Sequence, residues 1–531
     1  MSLSSLILAL TLLATSALAE NHQPPPKKPA ASAKGSPHAA DSDADTAKMN
    51  AATDLESAEM APPQKVVSPL SPLPPRSPEE LMKLEPSGVQ EDSSRAEGSA
   101  GKPIPISLPE AVKRALDQST LVLKSQYDVY GSGEQLLQAY AQFLPNLDVA
   151  GTYAFQKGTS YLTTAAPTTV YSRNLGVGYQ VSSTLNLFSG FTDIGNLKSS
   201  HYKRKASQLS LERARQQITL DVTQAYLQVI LDEDVVRIAE KSLTLSQQRE
   251  VLLDEQTKVG VKNKADLFRQ QAQTSSDETY LLNARTKAHN DLLALAARLR
   301  LDCQRDYSLQ RPNPIPPVMN KKYENEGDLV KVALSHRPDL GAYQATSLSA
   351  EWAVTRARGA YYPRLDLGFN YLGAGHSLYS QDVNGVNQVP ALQAPLRDQL
   401  DRYHYYSLGL TLSWGIFDRF LTRLDSARAH VAAGNARTDA DDRHLQVISE
   451  TRQAWGEYRA SLSQLESSRR GLEAAQKAYE VEAGRYEVGS VSFIDLIVSQ
   501  SALISAEAAR AQALINFQIQ GDQVEFSLGT L

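Results

Sequence analysis

Few residues in this chain have the types and spacing that covalent chemistry needs. Ser200-His201-Tyr202-Lys203 matches S-x-x-K, in which a lysine amine activates a serine hydroxyl, but the companion motifs are missing. It also falls at the start of a long helical pattern. The nine histidines are scattered without metal-ligand spacing, and neither H-E-x-x-H nor a Walker-type loop occurs. Gly176-Val177-Gly178 is alternation within a strand, not a phosphate loop, and Asp439-Ala440-Asp441-Asp442 reads as a solvated helix face. Cys303 is the only cysteine, so neither an intrachain disulfide nor a thiol cluster for a metal can form. The sequence implies no enzyme and no cofactor.

What remains is the chemistry of hydrogen bonds, charge and apolar surface. Asp266 and Asp495 each follow a turn near a helix start, where a carboxylate meets free N–H groups and the positive end of the helix dipole. Tyr486 ends a stripe of Leu465, Leu472 and Tyr479 that recurs every seven residues, the spacing of helices packed on neighbours. The elements carrying these residues decide what they can do.

The 531 residues carry a net charge of −5, and no basic stripe with interleaved aromatics favours nucleic acid. Leu6 to Leu13 form a short apolar core followed by Ala17-Leu18-Ala19, an A-x-A cleavage pattern, so residues 1–19 read as a signal peptide. No cysteine follows that could carry a lipid anchor. Residues 20–104 are rich in proline and charge, including Pro24-Pro25-Pro26 and Pro74-Pro75, and read as disordered. Nothing later supplies an apolar helix of the required ~20 residues, so any membrane segment must be β.

The rest is a duplication. With Phe188 placed on Phe417, Ala225-Tyr226 falls on Ala454-Trp455, Val259-Gly260 on Val488-Gly489, and Asp266-Leu267 on Asp495-Leu496, an offset of 229. Earlier an offset of 218 holds, with Ala115-Leu116 on Ala333-Leu334 and Leu144-Pro145 on Tyr362-Pro363. The change places a longer loop at about 373–402. A first repeat (105–310), a linker (311–325) and a second repeat (326–531) follow.

Each repeat reads as a short helix (about 108–118 and 327–336), a longer helix stopped near Pro145 or Pro363, two strands, then a very long helix and a shorter return. Leu147, Val149, Gly151, Tyr153 and Phe155 alternate with polar or small residues, as do Leu365, Leu367, Phe369 and Tyr371. The returning strands set Val177, Tyr179, Val181, Leu185 and Leu187, then Tyr406, Leu408, Leu410, Trp414 and Ile416, on one face. Helices over about 190–256 and 419–485 would each reach on the order of 100 Å. They turn at Val259-Gly260-Val261 and Val488-Gly489-Ser490 and return over 266–299 and 495–528.

Four strands cannot close a barrel, and open edges are not tolerated in lipid. Two chains would give a filled eight-stranded barrel, three a roomier one of twelve. Leu108-x-x-Ala111-x-x-x-Ala115-Leu116, the Leu144-Pro145 corner, Tyr486-x-x-Gly489, Asp495 and Leu528-Gly529, in this order across two repeats, resemble the TolC-like outer-membrane efflux protein family over about 105–531. That resemblance implies a mixed α and β membrane protein, a homotrimer with a shared twelve-stranded barrel and an α-helical periplasmic tunnel. It implies a passive export duct in the outer membrane of a Gram-negative bacterium, surrounded by lipid. Its partners would be a periplasmic adaptor protein and an inner-membrane pump or secretion ATPase, in tripartite efflux or type I secretion.

By position, the resemblance also implies a constriction at the hairpin tips. Tyr486 stands for a tyrosine that ties hairpins together, Asp495 for one ring aspartate, and Asp266 for a carboxylate able to accept from Tyr486. Two positions depart from the family pattern: Val491 replaces an arginine and Val498 a second ring aspartate. Closure by an apolar ring at Val498 with one carboxylate ring above it is then expected in place of an ionic latch. The rival reading is a periplasmic adaptor or structural coiled coil without a pore. Tyr403, Tyr405, Tyr406 and Trp414, placed where interfacial aromatic girdles belong, favour the barrel.

Overall fold

The structure, a computed structural model, describes residues 103–163, 167–312, 323–388 and 393–531. The expected signal peptide, nearly all of the proline-rich segment and most of the linker lie outside these residues. The first repeat runs β1 (Ile104–Ile106), α1 (Leu108–Gln118), α2 (Thr120–Ala141), β2 (Asp148–Thr163), β3 (Pro167–Phe188), α3 (Thr192–Lys258), α4 (Lys264–Arg298) and β4 (Tyr307–Leu309). The second runs α5 (Glu326–His336), α6 (Pro338–Arg358), β5 (Arg364–Val383), β6 (Val386–Asn387), α7 (Leu396–Arg402), β7 (His404–Ser413), α8 (Leu421–Glu487) and α9 (Phe493–Leu528).

Local chemistry accounts for most boundaries. Glu110 accepts from Ser107 N (3.1 Å) and Oγ (2.8 Å), a capping box that opens α1 and holds the Glu110 carboxyl below its ordinary range. α2 stops at Ala141 and α6 at Arg358, short of Pro145 and Pro363; a 3-10 turn over Gly359–Tyr361 fills the gap in the second repeat. α3 and α8 have 67 residues each, about 100 Å of helix. Both start after a phenylalanine in the left-handed region, Phe191 (φ 68°) and Phe420 (φ 64°). Gly190 (φ 63°) before the first is obligatory, because a Cβ there would lie 2.3 Å from Gly359 O.

β2, β3, β5 and β7 form one antiparallel sheet in that order, with β6 added at the outer end of β5. Register gathers the alternation onto two faces. Val149, Tyr153, Phe155, Leu175, Val177, Val181, Leu367, Phe369, Tyr371, Leu408 and Leu410 share one; Thr152, Gln156, Asn174, Gln180, Ser182, Asn370 and Ser407 share the other. The strands differ from expectation at their ends. The first hairpin continues to Thr163, β5 extends to Val383 through what reads as loop, and β7 stops at Ser413, leaving Trp414 and Ile416 beyond the ladder.

Each repeat has a core where its helices cross. Ala111, Ala115, Val222, Tyr226, Ile230, Leu295 and Leu299 pack in the first; Ala333, Leu340, Val447, Ala454, Phe517 and Leu528 pack in the second. The repeat-equivalent Tyr226 and Trp455 each tie down a crossing segment: Tyr226 OH bonds Ile106 O (2.9 Å) and Gln310 O (2.5 Å), and Trp455 Nε1 donates to Tyr323 O (2.9 Å). Beside the second core, Asp339 accepts from Arg337 (3.0 and 2.7 Å) and Arg443 (3.0 and 2.6 Å). Burial alone would raise the Asp339 carboxyl, but these guanidiniums hold it well below the carboxylate range.

α6 packs on both long helices, α3 and α8, whereas its repeat counterpart α2 packs extensively only on α3. The face of α2 carrying Leu137 and Tyr140 is exposed, as are Leu424, Val431 and Leu445 on α8.

Asp522, late in α9, is half-buried near Glu525, and burial pushes its carboxyl up to about 6. The fold therefore binds a proton that the unfolded chain has lost between about pH 4 and 6; the associated stability is full below about pH 4 and lost as pH rises through about 6. Asp522→Asn is expected to stabilise the protein by about 1–2 kcal/mol at about pH 8, after discounting for partial exposure, and hardly at all at about pH 4. Thermal unfolding in detergent at both pH values checks this; an equal gain at both would refute it.

Candidate functional site

The hairpin tips are the same turn built twice. Gly260 (φ 78°) and Gly489 (φ 74°) adopt the left-handed conformation, so that Val261 N donates to Gln256 O and Ser490 N to Arg485 O, both at 2.9 Å. The returning helices are capped at once. Asn263 accepts from Ala265 N (3.0 Å), and Ser492 Oγ accepts from Asp495 N (3.3 Å). The Asp495 carboxylate completes a capping box, accepting from Ser492 N (3.2 Å) and Oγ (2.7 Å). Asp495 thus has the capping role its position suggests, while its side chain stays at the surface.

An apolar cluster joins the two tips. Leu253 and Leu267 of the first hairpin are buried against Phe493 and Leu496 of the second, with Tyr479, Tyr486 and Ile497 packed around them. The Tyr486 ring lies 5.6 Å from that of Phe493, and Lys262 Nζ sits 4.1 Å from its centroid, a cation–π contact across the hairpins. The Tyr486 hydroxyl is buried and makes no hydrogen bond among the described residues. Burial first, then the nearby Asp266 charge, raises its phenol, against the opposing influence of Arg249. The expected Tyr486–Asp266 hydrogen bond is not formed: Asp266 pairs with Arg269 at 3.3 Å. Val491 is half-buried, and Val498 is exposed one turn from Asp495 on the same side of α9.

Near the tips, Arg249 on α3 is a polar tie between the hairpins. One guanidinium nitrogen donates to Tyr479 Oη (2.8 Å) on α8 and another to Gln500 Oε1 on α9, so one cation holds both helices of the opposite hairpin. Sequence reasoning passed over it. Tyr479 lies in the seven-residue stripe and Gln500 is in the repeat alignment, but the repeat counterpart of Arg249 is Ala478. A charge kept in one repeat only was the available signal. Among the described residues no three His, Cys, Asp or Glu side chains converge to hold a metal.

Paired helical hairpins with outgoing arms about 100 Å long, springing from an antiparallel sheet with one apolar face, are the architecture of an outer-membrane channel subunit. No described helix is long and apolar enough to cross a membrane. The chain belongs to the outer membrane efflux protein family, whose model matches residues 111–299 and 329–530, one block in each repeat. It is 21% identical over 441 residues to the outer membrane protein TolC of Escherichia coli K12, covering 77% of this chain and 79% of that one. Its fold matches the outer membrane protein VceC of Vibrio cholerae (TM-score 0.67, 16% identity, 80% of this chain and 96% of that one). It also matches the open state of the MtrE outer membrane channel of Neisseria gonorrhoeae (TM-score 0.60, 16% identity, 80% and 88%). The protein is an outer-membrane efflux channel subunit.

Arg249→Ala should leave the Tyr479 and Gln500 groups without their partner, loosening the tip by about 1–3 kcal/mol. Hydrogen exchange is expected to quicken in the tip segments of both hairpins, with the β-strands unchanged and Arg249→Lys intermediate. Unaltered exchange at the tips would remove Arg249 as the tie.

Proposed function

We propose that three copies assemble head to tail into one export duct, with a shared twelve-stranded barrel in the outer membrane and the long hairpins as a periplasmic tunnel. The observation that carries this reading is the unequal packing of α2 and α6. Within one chain α6 fills the groove between α3 and α8, while its counterpart α2 has α3 on one side and an exposed apolar face on the other. By the repeat, that face fits the α8 of a second copy. β2 and β7, the two sheet edges, would meet across the same contact. A contact between two different faces closes into a ring when its rotation allows, and twelve strands leave a lumen where eight are filled.

The register of this interface follows from the one inside the chain. Ser199 and Ser349 exchange hydrogen bonds where α3 meets α6 (Ser199 Oγ to Ser349 O at 2.9 Å; Ser349 Oγ to Ser199 O at 2.8 Å). Shifted by the repeat offsets, they become Arg428 on α8 and Gly131 on α2. With Cys303→Ser as background, Gly131→Cys together with Arg428→Cys should cross-link detergent-purified protein into species of up to three chains. The same trimer should form discrete channels in planar bilayers. A protein that stays monomeric, soluble and non-conducting would overturn the duct reading.

At the tip, Asp495 is proposed to line the constriction with Val498 below it, while Val491 keeps an arginine out of the latch. Tyr486 and Asp266 then act in packing and local charge rather than in a shared hydrogen bond. Asp495→Ala should weaken cation block in single-channel recordings by about tenfold, as expected for losing about 1.4 kcal/mol of ion stabilisation. Unchanged block and conductance would remove Asp495 from the pore lining. A periplasmic adaptor and an energised inner-membrane pump or secretion ATPase would supply cargo and direction, because the chain carries no motor of its own.

A further inference from the structure

We propose that the outer rim of the sheet binds the phosphate group of an outer-leaflet lipid between Lys157 and Arg173. The inference rests on the membrane orientation argued above and adds a ligand to it. Lys157 on β2 and Arg173 on β3 are direct cross-strand partners, so both side chains project from the same face about 5 Å apart at Cβ. Like charges placed directly opposite destabilise a sheet unless an anion lies between them. Both residues are exposed, and neither makes an ion pair or side-chain hydrogen bond among the described residues.

Their position selects the anion. They belong to the apolar face, in line with Val149, Tyr153 and Phe155 on β2 and with Leu175, Val177 and Val181 on β3. Moving outward from the helices along that face of all four strands, no Lys, Arg, Asp or Glu occurs before these two. Lys157 lies nine residues beyond the start of β2 at Asp148. That is about 30 Å along a strand, or about 21 Å of height at a tilt of ~45°, close to the ~25 Å apolar band of such barrels. The pair therefore stands at headgroup depth, facing lipid.

The surroundings fit a headgroup with acyl chains beneath it. Arg173 leans over the Phe155 ring (6.0 Å to the centroid), and Tyr379, lifted out of register by a bulge in the β3–β5 ladder, lies 6.5 Å from Phe155. Both rings are exposed. The result is a cationic pair above an aromatic shelf: a guanidinium fork and an ammonium for phosphate oxygens, and rings for the first methylenes. The second repeat treats the equivalent place differently. Gly375, the counterpart of Lys157, is covered by the chain's own α7, so closely that a Cβ there would lie 3.3 Å from both Gln399 Cβ and Leu396 O. Where one repeat covers this level with protein, the other presents two cations.

The test uses full-length protein in lipid-depleted detergent, with thermal shift and native mass spectrometry as readouts. The probes are a bisphosphorylated lipid A, its dephosphorylated form with the same acyl chains, and inorganic phosphate. The wild type should retain the phosphorylated lipid at least about tenfold more tightly than the dephosphorylated one, and be stabilised by it as a ligand of the native state. Lys157→Gln with Arg173→Gln should abolish that preference while trimer mass and conductance stay as in the wild type. Lys157→Gln alone should be no less stable than wild type without lipid, since a repulsion is removed, yet gain less on adding phosphorylated lipid. A merely structural role for Lys157 would not reverse order in this way. Equal binding of both lipids, a preference surviving in the double variant, or equal stabilisation by inorganic phosphate alone would overturn the proposal. If the wild type failed to conduct, the membrane orientation itself would fail, a result separable from all of these.

Discussion

A backbone N–H or C=O left open in hydrocarbon costs several kcal/mol, and β2 and β7 each present a row of them along one edge of the sheet. A sheet with one face as apolar as this belongs in lipid, yet it cannot sit there alone. In the proposed assembly its edges are continued by strands from other copies, and the order β2-β3-β5-β7 makes that continuation a joining of unlike edges. Everything on the helical side inherits the requirement. Strands that leave the membrane side by side feed helices that stand side by side, so in that assembly each long helix would find neighbours around a ring.

The duplication offers those neighbours twice, and the departures from it fit one repeat packing within the chain and the other facing a second copy. Gly190 is a glycine because the second repeat of its own chain comes close, with Gly359 O inside the reach of a Cβ. Its counterpart Arg419 takes a similar backbone conformation (φ 56°) and keeps a long side chain, as a position facing another surface can. Arg249 against Ala478 makes the same distinction at the tip. A guanidinium is kept where two hairpins of one chain meet and is absent from the equivalent position on the second hairpin.

How much of this was legible beforehand depended on how local the cause was. The long helices begin and end within two residues of their expected bounds, because glycine turns and unbroken heptad spacing act within a few residues. Strand existence was legible for the same reason, but strand length was not. The alternation runs on through Trp414 and Ile416, whereas the ladder stops at the Arg364–Ser413 pair. Pairing is a property of two segments, and the sequence of one cannot report where the other turns away. The interior charges were hidden more deeply. Arg337 and Asp339 flank Pro338 at a helix start, where nothing local marks them as interior, yet Arg443, about a hundred residues on, joins them in a buried cluster. Of the tip residues, Asp495 was legible as a cap and Tyr486 as packing. The Tyr486–Asp266 bond failed because Arg269, one turn from Asp266 on the same helix, reaches that carboxylate first.

These contacts bear on how such a tip could open. Within one chain the hairpins share a buried cluster of Leu253, Leu267, Phe493 and Leu496, a cation–π contact and the two Arg249 bonds. Separating them would expose the cluster and strand several polar groups at once. Val498 and Asp495 lie on the exposed side of α9, away from those ties, and Val491 offers no charge for a neighbouring copy to hold. The weaker seam of that proposed ring would therefore be the one between copies. In the proposed assembly each chain's two hairpins would swing as one body, and the constriction would widen between subunits while every contact within a subunit stayed made.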